Sequence, residues 1–295
     1  MKRILSFMFI LSTICGFSIA DEVPLWIGIV RVDGILVPIG TYKDNWVKAW
    51  PEISIDEQPE VDKLAKTTNG KMKLQDIPDA WKGGIKEIPA KVFLWSGGPD
   101  AKNLNVVDAE QYSSHCSGGW GLKTDLHPTE TVDCAPTPKV GIAANLQSNI
   151  IPFEHLNKES EIPSSLVNAI KAKFEAKAPV ELTKIYRVKN RERVLYFIEA
   201  QEKQLGSDPD CYNLNSTNNW VLVKGDKISF LSSELITTTC DSEGIHELIP
   251  GVLISVRGKQ YIVSENYGYE WGFYTIHELL DESMKEVLNV GEGGC

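Results

Sequence analysis

The sequence predicts an α+β protein: mostly antiparallel β-sheet in hairpins and a meander, with two amphipathic helices packed against it and disulfides supporting it. Three observations predict this class. Apolar, β-branched runs are joined by two-residue turns such as Asp33-Gly34, Gly225-Asp226 and Gly258-Lys259. Two later segments repeat apolar residues at helical spacing instead. Five cysteines follow a segment that reads as an export signal, and in an oxidising compartment they are expected to pair.

Residues 1–20 carry that signal. Lys2 and Arg3 form a basic start, Ile4 to Ile14 is almost wholly apolar, and Ser18-Ile19-Ala20 supplies small residues for a signal peptidase. The apolar stretch is short for a membrane span, and no later segment approaches the roughly 20 apolar residues a span requires. Cys15 as a lipidated residue is a poor alternative, because bulky Ile14 sits where a small residue is expected. The expected location is therefore periplasmic or extracellular, with a mature chain that begins at Asp21.

Residues 21–150 read as a β-rich, loop-rich region. Trp26 to Val32 and Ile35 to Ile39 flank Asp33-Gly34 as a hairpin. Asp56 to Ala90 is polar, interrupted by prolines, and reads as ordered loop with one short helix. Lys91 to Trp95 and Lys139 to Ala144 read as strands, with a loop-rich stretch from Gln111 to Pro138 between them.

Residues 151–295 begin with a helix, over Pro163 to Lys177. Leu166, Ile170 and Phe174 recur four residues apart with Val167 beside them, and Pro179 stops the run. Three hairpins follow, in the segments 180–200, 220–231 and 252–263. Ile276 to Asn289 then reads as the second helix. Thr275 and Glu278 suit a capping box, and Ile276, Leu279, Leu280, Met284, Val287 and Leu288 suit a buried face.

Cysteine spacing suggests Cys116 with Cys134 and Cys211 with Cys240, leaving Cys295 on a glycine-rich tail. Each closure is expected to stabilise by about 3 kcal/mol. Losing Lys2 and Arg3 takes the net charge from −10 to −12, and no basic stripe is visible in the chain order. That balance argues against nucleic acid and anionic lipid as partners.

Catalytic strings are weak. His277 and Asp281 would share one helix face, as metal ligands do, but no third ligand appears at an informative spacing. His246-Glu247 is followed by Pro250, which breaks the helix such a motif needs. His115-Cys116 invites a thiol nucleophile, although a disulfide through Cys116 accounts for it better. Asp208-Pro-Asp210 and the Asn-rich run to Asn219 offer oxygens suited to calcium, yet read better as a solvated connector. No cofactor and no metal are expected.

Six of the eight tryptophans lie between Trp26 and Trp120. Trp46 and Trp50, four residues apart before Pro51, suit a platform for a sugar ring, although tryptophans in a disulfide-supported β-domain usually anchor the core or turns. The sequence thus points to a non-catalytic exported binding or envelope-accessory module, with an envelope glycan or another exported protein as partner. The alternative is an exported hydrolase whose carboxylates come from distant parts of the chain.

Overall fold

The computed structural model describes residues 24–49, 63, 66–77, 88–96, 99–113, 118–127, 139–147, 150–174, 178–205, 212–238, 247–267 and 271–294. In chain order the first strands are β1 (Leu25–Arg31), β2 (Ile35–Tyr42), β3 (Trp46–Lys48), β4 (Lys71–Met72), β5 (Lys91–Trp95), β6 (Lys102–Ser113), β7 (Gly118–Thr124) and β8 (Lys139–Ala144). Six of them close an antiparallel barrel in the order β1-β8-β5-β6-β7-β2, with β2 pairing back to β1. Trp26, Val30, Leu36, Leu94, Trp120 and Leu122 fill its interior. Every residue of β1 is buried. Up to Arg31 the strand therefore reads as one continuous apolar run, since both of its faces are covered.

Two five-stranded antiparallel sheets follow. The middle sheet, β18-β17-β16-β15-β9, uses β9 (Ile150–Pro152), β15 (Glu247–Val256), β16 (Lys259–Tyr267), β17 (Trp271–Leu279) and β18 (Met284–Gly294). The outer sheet runs β10-β11-β12-β13-β14, from β10 (Glu154–His155) through β11 (Val180–Asn190), β12 (Arg193–Leu205) and β13 (Tyr212–Lys224) to β14 (Lys227–Thr238). Helix α1 (Ser164–Lys171) lies against the far face of the outer sheet, where Leu166, Val167 and Ile170 meet Ile185, Tyr196 and Ile198.

The layers are thus helix, outer sheet, middle sheet and barrel. Barrel residues Ile27, Ile29 and Ile142 share one cluster with Val252, Ile254, Val263 and Ile276 of the middle sheet. Approach is close enough that a Cβ on Gly251 would run into Ile142. Leu195, Phe197, Trp220 and Leu222 of the outer sheet join Leu253 and Ile262 of the middle sheet in another cluster.

The α+β expectation is overturned: among the described residues strands take 67% and helices 9%, around a six-stranded barrel. The predicted second helix is instead β17, a turn at residues 280–283, and β18. A bulge explains the misleading spacing. Ile276 faces Leu288 and His277 faces Glu286, so Val287 is an extra residue. One extra residue breaks the two-residue alternation of a strand and imitates a helical three-or-four spacing. Thr275 caps no helix; its hydroxyl meets Ser264 at 2.9 Å and accepts from Asn266 at 3.0 Å.

Helix α1 is also shorter than the predicted span, with Pro163 just before it. The segment expected to be loop-rich holds the last three residues of β6 and all of β7. The predicted disulfide support is absent from the described fold, whose residues include no cysteine. Cys116, Cys134, Cys211, Cys240 and Cys295 all lie outside the described residues.

Candidate functional site

The interlayer between the two sheets ends differently at its two ends. Four hairpin turns gather at one end: β11–β12, β13–β14, β15–β16 and β17–β18. They surround a cleft of about 860 Å³ with apolar Ile151 and Leu279 and polar Asn190, Ser255 and Gln260 in its lining. A smaller recess of about 360 Å³ adjoins it, lined by Arg193, Leu222, Lys224, Lys227 and Ser229.

Register puts three cations in a row there. Arg193 on β12 faces Lys224 on β13, and Lys224 faces Lys227 on β14. Directly opposed residues share a sheet face. Alternation from Leu195, Phe197 and Leu222 makes that face the one turned toward the middle sheet. Arg193 meets Asp281 at 3.6 Å and Lys227 meets Glu282 at 3.2 Å, both carboxylates reaching over from the β17–β18 turn. Lys259 is held by Glu278 at 2.9 Å. That hydrogen bond, with the charge behind it, raises the Lys259 ammonium pKa.

Some 20 Å along β12, by strand rise, the same interlayer is closed by a bonded polar cluster. Glu199 accepts from Thr183 Oγ1 at 2.5 Å and from Gln201 Nε2 at 2.8 Å. Lys184 Nζ lies 3.3 Å from Glu199 and 2.6 Å from Glu247. Burial first, and then the Glu247 charge and hydrogen bond, push the Tyr267 hydroxyl pKa well up. Asn218, directly opposite Glu199, is 5% exposed, and its Oδ1 has no partner among the described residues. Two carboxylates do converge here, but Glu199 Oε1 already accepts two hydrogen bonds and Oε2 faces the Lys184 ammonium.

The residues singled out from the sequence fall as follows. Trp46 is 6% exposed and packed between Tyr42 and Tyr261, with ring centroids at 5.4 and 5.6 Å. Its faces are spent on the core between barrel and middle sheet, so it offers no platform to a sugar. Trp50, His115, His246, Asp208 and Asp210 lie outside the described residues.

His277, Glu278 and Asp281 do not come together on one helix face. His277 and Glu278 are neighbours on β17 and point to opposite faces, while Asp281 sits in the turn. Burial lowers the His277 imidazole pKa, and its Nδ1 has no hydrogen-bond partner among the described residues. Among the described residues no group of three His, Cys, Asp or Glu side chains is arranged to hold a metal.

The Asn-rich run is part of strand β13 rather than a solvated connector. Its side chains bond across the sheet. Asn219 Nδ2 donates to Ile198 O at 3.1 Å and to Thr217 Oγ1 at 2.9 Å, and Ser233 Oγ donates to Asn219 Oδ1 at 2.8 Å.

Among the described residues no helix is long and apolar enough to cross a membrane. No protein family, curated protein or solved structure matches this chain.

Proposed function

We propose that this chain is an exported, non-catalytic binding protein that holds its ligand in the cleft at the hairpin end of its two stacked sheets. An envelope glycan is the most concrete ligand. One observation carries the reading: a cleft of about 860 Å³ that combines apolar floor residues with a rim of amide, hydroxyl and charged side chains. Ligand sites have that composition, with apolar contact for affinity and a few polar groups for orientation. Export is supported by the basic, apolar and small-residue segments of residues 1–20.

The hydrolase alternative has less support. Glu199 and Glu247 converge, but Lys184 lies between them and hydrogen bonds occupy Glu199. A catalytic pair needs one carboxyl free to give a proton and one free to act on substrate or water.

The test has two parts. Intact mass of protein secreted by its native host should show a chain that begins at Asp21. Calorimetric titration of that chain with a panel of neutral and acidic oligosaccharides should show binding, lost when Ser255→Trp fills the cleft. Flat titrations across the panel would remove the reading. Release of shorter saccharides during the titration would move the function to the hydrolase.

A further inference from the structure

From the row of cations at the cleft, and resting on the cleft reading above, we infer that the ligand is an acidic polysaccharide. Its carboxylates would lie along Arg193, Lys224 and Lys227.

The row is opposed in register across three adjacent strands. Like charges directly opposite one another in a sheet are unfavourable, and this arrangement stands in a chain of net charge −10. Charges placed that way without neutralisation from their own sheet are suited to an anion from outside. Lys224, the central member, and Arg191, in the adjacent turn, have no acidic partner among the described residues. Among the described residues the outer members are met only by Asp281 and Glu282, whose side chains are 89% and 78% exposed. These two turn carboxylates stand where ligand anions would sit, and they can swing away into water. Glu192 is the other acid in the lining, and it is exposed in the β11–β12 turn.

Spacing selects an extended chain over a compact anion. Neighbouring strands are about 4.8 Å apart, so the three cations span about 10 Å in equal steps. Each step is close to the length of one pyranose ring in a chain. Ser229 and Gln260 beside the row supply groups that can bond sugar hydroxyls. Leu222 and Leu279 supply apolar contact for ring faces.

The deciding experiment titrates the mature chain by calorimetry with hexagalacturonate as the free acid and as its full methyl ester, which differ chiefly in charge. The acid should bind, the ester should not, and affinity should fall steeply with salt. Lys224→Ala should weaken the acid by about tenfold, and Lys224→Arg should restore it. The pair Asp281→Asn and Glu282→Gln should tighten it severalfold by removing the competing carboxylates. Thermal unfolding of each variant separates lost binding from lost fold. Equal binding of acid and ester would overturn the acidic ligand while keeping the cleft. So would loss of the acid signal in millimolar inorganic phosphate, which would mark the row as a simple anion site. Binding of neither form, with neutral glycans still binding, removes this inference alone; binding of no glycan removes both.

Discussion

The two ends of the space between the sheets use the same residue types to opposite purpose. At the closed end, Glu199, Lys184 and Glu247 alternate in sign, and Thr183 and Gln201 complete the bonds to Glu199. At the open end, Arg193, Lys224 and Lys227 share one sign, and among the described residues exposed turn carboxylates are all that meets the outer two. Charges taken from water must be paired to be tolerated, so the closed end is a structural joint. Charges left in water cost little and remain available, so the open end is where recognition belongs.

The largest expected effect breaks the closed end. Glu199→Ala leaves Lys184 with only the partly exposed Glu247, and it should cost about 3 kcal/mol in urea unfolding. A cost below about 0.5 kcal/mol would mean that the joint does not hold the sheets.

A smaller effect concerns His277, which lies between the two ends. Its folded pKa is lowered by burial, so protons bind more readily to the unfolded chain. Stability should be full above the ordinary histidine value of 6.5 and decline as pH falls below it. His277→Gln should flatten that decline in thermal melts between pH 7 and 5. An unchanged acid profile would place the sensitivity elsewhere.

The smallest expected effect sharpens the contrast. Lys224→Ala removes the middle of a like-charge row, so stability should stay within about 0.5 kcal/mol or rise slightly. A loss as large as that of Glu199→Ala would make the row structural and erase the distinction between the ends.

Local features were legible in the sequence, and long-range ones were not. Asp33-Gly34, Gly225-Asp226 and Gly258-Lys259 mark hairpins because two-residue turns demand such residues. The α1 face was legible because Leu166, Val167 and Ile170 keep a helical period with no break. The bulge at Val287 defeated the same logic further on. Barrel closure depends on β5 pairing with β8 and β2 pairing with β7, contacts that no local pattern announces.

The cation row was half legible. A turn at Gly225-Asp226 already sets Lys224 opposite Lys227. Arg193 joins them only through the pairing of β12 with β13, a register that the Gly-, Asp- and Pro-containing segment between the two strands does not set. The asparagines of β13 were misread for a related reason. Asparagine is a turn residue by propensity, and only the neighbouring strands supply the partners that keep Asn219 in a sheet.

The most direct test of the contrast is an amide NMR titration of the mature chain with acidic hexasaccharide. Shift changes should gather at residues 190–193, 224–229, 255–260 and 279–282, with the closed end around Glu199 and Lys184 silent. Changes centred on the barrel, or on the Glu199 cluster, would contradict that contrast.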